Sequence, residues 1–136
     1  MKYCSIDELC RSITARNKHI DNTPSPEIRA KLETLIDELL DPIREYWGQA
    51  ITVTSGYRCP ELNAALGDVA TSQHRTGEAV NLSAGDPGKN KMLFDKIVEW
   101  QKAGKIEFDQ LIDESHYKWV HVSYCKGNNR NQVLHL

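Results

Sequence analysis

An α+β fold, with a helical layer packed on a small antiparallel sheet, is the architecture this chain predicts. Three observations carry that expectation. Ile28, Leu32, Leu35, Ile36, Leu39 and Leu40 recur at helical spacing and form one apolar stripe. A second helical pattern holds Leu93, Phe94, Ile97, Val98 and Trp100. Short β-branched stretches, above all Trp119-Val120-His121-Val122-Ser123, alternate as strands do. At 136 residues the chain is long enough to bury a real core as one domain, residues 1–136, and nothing in it suggests two.

Taken in order, Ser5 is an N-cap ahead of Ile6, Leu9, Cys10 and Ile13, so a first helix should run to about Arg16. Asp21-Asn22-Thr23-Pro24 is a turn. Ser25, Pro26 and Glu27 then give a cap, a proline suited to the first helical position and an acid in the first turn, which starts a second helix. Pro42 interrupts its stripe, and Ile43, Tyr46 and Trp47 resume it up to Gly48, so a kink or two abutting helices is expected. Ile51–Thr54 reads as a strand that runs into the breaker-rich loop Ser55–Pro60, and Pro60–Leu66 as a short helix closed by Gly67.

After Gly77, Glu78–Leu82 alternates, which sets Ala79 and Asn81 on one face. Asp86-Pro87-Gly88 reads as a turn, and Asn90–Ala103 as a covering helix stopped by Gly104. Lys105–Glu114 holds a strand that should pair with the His121 strand as a hairpin. Two registers are open. Pairing Glu114 with Trp119 puts Gln110, Ile112 and Glu114 on the face of His121, whereas pairing Asp113 with Trp119 puts Asp109, Leu111 and Asp113 there. Gln132–Leu136 is read as a short last strand.

The chemistry concentrates in Ser72–Asn81, which offers two metal donors across a glycine turn. A catalytic zinc takes about three protein groups and keeps one position open, and neutral imidazole is a good ligand. His74 is the first candidate. Asn81, seven residues on, can be brought back by the turn at Gly77, and His121 on its strand can close the set. Arg58, delivered just after a strand, could pair with a substrate carboxylate, steady an oxyanion, or serve only to bridge loop groups.

Ser55-Gly56-Tyr57-Arg58, Ser72-Gln73-His74-x-x-Gly77-x-Ala79-x-Asn81 and Trp119–Ser123 together resemble the zinc D-Ala-D-Ala carboxypeptidase family, peptidoglycan DD- and LD-peptidases that share the hedgehog amino-terminal fold. The motifs span Ser55 to Ser123 in the family order. The resemblance implies one zinc ion, ligands at His74, position 81 and His121, a substrate-facing Arg58, and a stem peptide of peptidoglycan as substrate. Position 81 departs from the family pattern, with Asn where Asp is usual. A carboxylate must also take a proton from water and return it to the leaving amine. The position that supplies it in several branches is Lys118 here, so the resemblance moves that role to Glu114, with Asp113 the alternative. An enzyme of this kind is the leading expectation. The rival is an impaired homologue, with Asn81 and Lys118 marking lost catalysis, that binds a cell-wall peptide or a protein. A structural part in an assembly is a third reading.

A net charge of −2 and a pI near 6.2 provide no basic field for nucleic acid or anionic membrane, and neither is expected as a partner. No apolar run is long enough to span a bilayer, and Met1–Glu8 lacks the apolar core of a signal peptide, so the chain as given reads as soluble, not visibly exported, and monomeric. Cys4, Cys10, Cys59 and Cys125 are scattered and read as free thiols. His19 and His135 lack partners at metal spacing. His116, in the hairpin tip, is expected to be exposed.

Overall fold

The computed structural model describes residues 1–136. Ser5 does cap a helix, its hydroxyl accepting from Glu8 N at 3.3 Å, but α1 covers only Ile6–Cys10. The expected continuous helix to Arg16 is broken by an extended Arg11 and by a second capping serine: Ser12 accepts from Ala15 N and opens α2, Ile13–Asn17. A serine side chain that can satisfy a free helix N–H competes with continuation of the preceding turn.

The long apolar stripe becomes α3, Pro26–Leu35, a π-helical turn, Ile36–Leu40, and α4, Asp41–Trp47, ended by left-handed Gly48. Pro42 is the cause of the irregular turn. It lacks an N–H and its ring crowds the carbonyl four residues back. Widening the turn lets Asp41 N bond Ile36 O and keeps the stripe in register across the proline. Leu32, Leu35, Ile36, Leu39 and Ile43 are fully buried, each such side chain contributing roughly 1.5–3 kcal/mol.

Five strands follow: β1 Thr52–Ser55, β2 Ala79–Ser83, β3 Gln110–Glu114, β4 Trp119–Ser123 and β5 Gln132–His135, in the sheet order β1-β2-β4-β3-β5. The first three pairings are antiparallel. The fully antiparallel sheet expected from sequence is corrected at the last, because β5 lies parallel to β3. The segment entering β5 is fixed by Asn131, whose side chain accepts from Phe108 N at 3.1 Å and whose N–H bonds Phe108 O at 2.8 Å. Arg130 is held by Asp109 just before it. These contacts carry the chain past β3 to the far edge.

Helix α5, Pro60–Ala65, and helix α6, Pro87–Lys102, complete the fold. The expected turn Asp86-Pro87-Gly88 is instead the start of α6. Asp86 accepts from Lys89 N at 2.8 Å and Pro87 occupies the first helical position. Buried Asn90 ties α6 to the hairpin by donating to the Tyr117 and Lys118 carbonyls and accepting from Ala84 N.

The two faces of the sheet differ. Val80, Leu82, Leu111, Val120 and Val122 join the helical stripe and α6 in one core. Their neighbours in the alternation, Asn81, Ile112, Glu114 and His121, line a cleft of about 1190 Å³.

Candidate metal and catalytic site

Three features of the backbone bring the cleft residues together. β2 and β4 pair so that Asn81 lies directly opposite His121. β3 and β4 pair Glu114 with Trp119, the first of the two open registers, so Ile112 faces His121 and Glu114 joins its face. Asp113 is thereby removed from the site. It lies on the helix side, buried, hydrogen-bonded to His135, whose ring packs on Phe94. The loop after β1 is the third feature. Tyr57 N donates to Leu9 O at 2.6 Å, Arg58 N to His74 O at 3.0 Å, and the His74 Nδ1–H to Gly56 O at 2.8 Å. A side chain at 56 would have no room, since a Cβ there would fall 2.2 Å from Leu9 O.

His74, Asn81 and His121 therefore converge. The two imidazole rings stand edge to face, centroids 5.2 Å apart, and the His121 Nδ1–H donates to Asn81 Oδ1 at 3.1 Å. Burial, with Arg58 adding to it, holds both imidazoles down to about 4, so they are neutral donors at neutral pH. With Nδ1 of His74 engaged by Gly56, Nε2 carries the lone pair that a cation would use. By donor type the residues fit zinc: two neutral imidazoles and a carbonyl oxygen. What they lack is negative charge. With an amide at 81, no group of three His, Cys, Asp or Glu side chains is placed to hold a metal ion.

Glu114 sits beside this group, Oε1 3.9 Å from His121 Nδ1 and Oε2 accepting from Trp119 Nε1 at 3.1 Å. Burial raises its carboxyl above the usual range, against the opposing effect of the Trp119 bond. Lys118 is exposed at the foot of β4, and His116 is exposed in a hairpin tip where Ser115, His116 and Tyr117 all adopt positive φ. Arg58 lines the cleft, yet it is already engaged: Nη1 meets Asp68 Oδ2 at 2.8 Å and Nε donates to Ser55 Oγ at 3.1 Å.

The parts that two carboxylates play near the site were not legible in the sequence, where Asp109 figured only in the register that is not adopted. Asp68 is held below the usual range; its burial opposes this, but the Val69 N–H, the Ser72 hydroxyl and Arg58 outweigh it. Asp109, 3% exposed, accepts from Arg130 Nε and Nη2 at 2.8 and 2.9 Å and from Gln73 Nε2 at 2.8 Å. Arg130 leads the causes that depress it to about 2. Through Gln73, this pair braces the segment that carries His74. The only sequence signal was the placing of Gln73 next to the histidine.

A family model described as Peptidase M15 matches residues 2–123. No curated protein matches the chain.

Proposed function

The chain belongs to the peptidase M15 family, zinc peptidases that include D-Ala-D-Ala carboxypeptidase, and from that premise we propose that it is a zinc-dependent peptidase hydrolysing stem-peptide bonds of peptidoglycan. The observation that carries the reading is the convergence of His74, Asn81, His121 and Glu114 on one sheet face, in one cleft. A sheet with helices on one face and this group on the other also supports the hedgehog-type arrangement that the sequence motifs imply.

His74, His121 and Asn81 would hold the ion, which supplies Lewis acidity toward a carbonyl and toward water. The residues of the chain do the rest. Gly56 fixes the His74 tautomer through Nδ1. Glu114, half-desolvated and with a raised pKa, takes a proton from the attacking water at its carboxylate and returns it to the departing amine nitrogen. Trp119 Nε1 orients that carboxylate through Oε2, leaving Oε1 toward His121. Arg58 keeps N–H donors beyond those used by Ser55 and Asp68, and these steady the developing oxyanion.

A second reading has its own support. A neutral amide at 81 leaves the cation without the charge a carboxylate would bring, which favours a cleft that binds cell-wall peptide without cutting it. Turnover of a muropeptide library with and without added zinc separates the two. Zinc-dependent cleavage supports the peptidase, whereas zinc-independent binding with no product supports the binding module.

A further inference from the structure

Arg58 puts a positive charge beside a site meant for a cation. Its backbone N–H donates to the His74 carbonyl at 3.0 Å, and its Nε donates at 3.1 Å to the hydroxyl of Ser55, which pairs with Asn81 across β1 and β2. The guanidinium is thereby tied close to both His74 and Asn81. Its side chain is only 11% exposed, so water does little to screen it. The ligand set offers no help, because neutral imidazoles and an amide oxygen bring no negative charge to offset a second cation next to a doubly positive ion.

Asp68 answers that charge. Its Oδ2 meets Arg58 Nη1 at 2.8 Å, while Oδ1 accepts from Val69 N at 2.8 Å. The Ser72 hydroxyl donates to the same carboxylate, and Ser72 Oγ accepts in turn from His74 N at 3.2 Å. One side chain therefore touches both the arginine and the segment that carries His74. The loop behind it is fastened at the next two residues, by Asn63 Nδ2 on the Val69 carbonyl at 2.9 Å and by Arg75 Nη1 on the Ala70 carbonyl.

The pair reaches the whole site. Burial is the largest influence on the proton affinity of His74, His121 and Glu114, and among the further influences Arg58 lowers that affinity and Asp68 raises it in every one of them. A charge that acts on a proton held there acts with the same sign on a metal ion. Asp68 is nonetheless not a ligand, since no three His, Cys, Asp or Glu side chains converge on one ion.

We infer that Asp68 is the counter-charge of the metal site: it holds Arg58 in place and cancels the guanidinium's field at the ion, so that metal affinity depends on an ion pair outside the ligand set. The N–H groups of Arg58 not used by Ser55 and Asp68 can then serve the oxyanion without expelling the ion. The inference rests on the zinc reading of His74, Asn81 and His121.

Calorimetric titration of zinc into the metal-free full chain, against a competing chelator, tests it without turnover. Asp68→Asn should weaken zinc about tenfold, the scale seen for groups one step removed from a ligand. Arg58→Gln leaves the Asp68 carboxylate uncancelled and should tighten zinc by a similar factor. The double variant, Arg58→Gln with Asp68→Asn, should return to within about threefold of the parent, as opposed charges that sum at the ion require. If Asp68 only props up the loop, removing Arg58 as well leaves the affinity low, and that result overturns the inference. An Arg58→Gln affinity equal to the parent's overturns it too. Should Asp68→Asn fail to fold with its arginine unpaired, Arg58→Gln and the double variant still decide. A parent that binds no zinc, or binds it equally after His74→Ala, defeats the zinc reading and this inference together, whereas zinc bound by the parent and unchanged in the Arg58 and Asp68 variants defeats this inference alone.

Discussion

Replacing Asn81 by Asp tests the metal assignment most directly. The amide oxygen lies 3.1 Å from His121 Nδ1, and Asn81 is 8% exposed and sits opposite His121 in the sheet, so the change swaps near-isosteric side chains with little room for rearrangement. It adds one negative charge beside a doubly positive ion. Two unit charges about 4 Å apart attract by ~4 kcal/mol at an effective dielectric of ~20, and a doubly positive ion about doubles that. Taking a carboxylate out of water offsets much of that. A net gain of about 1.4–3 kcal/mol remains, a tenfold to hundredfold fall in Kd for zinc. Calorimetric titration of parent and Asn81→Asp proteins, with a competing chelator, measures it. His74→Ala and His121→Ala should each weaken binding, and hydrolysis should rise in Asn81→Asp. Equal affinities in parent and Asn81→Asp would refute the reasoning, for then position 81 does not touch the ion.

Glu114→Gln should lower turnover by ~10²-fold or more with zinc content unchanged; Asp113→Asn, on the helix side of the sheet, should lower Tm and spare turnover, and the reverse ranking would move the proton-transfer role to Asp113. Arg58→Ala should cost ~10²-fold in rate, with a smaller effect on unfolding in urea, and full retained turnover would remove Arg58 from the reaction. The metal-free protein should also lose stability in acid. Burial depresses His74 and His121 from 6.5 to about 4, so between those values the unfolded chain binds protons that the folded chain does not. This stabilising preference for the neutral rings is fully present above pH 6.5, is lost as pH falls toward 4, and is worth a few kcal/mol, roughly, for the two together. Urea unfolding at pH 7 and pH 5 would show it, and a flat profile, or the same slope in a variant lacking both histidines, would contradict it.

The legible parts of the sequence were those governed by local chemistry. Ser25-Pro26 marked a helix start, the Trp119–Ser123 alternation marked a strand, and the spacing from His74 to Asn81 marked a turn that folds back. What was hidden depends on pairing across distance. The choice between Glu114 and Asp113 turned on a one-residue register that no local pattern encodes. The parallel placement of β5 follows from Asn131 and Arg130 meeting Phe108 and Asp109, more than twenty residues away in the chain. Asp68 escaped notice because it lies in a loop with no periodicity, where only the folded contact with Arg58 gives it meaning. The break at Ser12 was a local signal that the apolar spacing of Ile6, Leu9, Cys10 and Ile13 concealed.

Gly56 bears on how the boundary of this site can be mapped by experiment. Its carbonyl holds His74, and its missing side chain admits the Leu9 carbonyl. In a saturation mutagenesis screen it should therefore score as intolerant as the histidines, although it performs no chemistry. Leu9 would be read as an ordinary core position, since every replacement there keeps the carbonyl that matters. Tolerance maps would thus draw the site one residue too wide at 56 and miss its support at 9, a contact open only to backbone ester substitution or to deletion of the N-terminal segment.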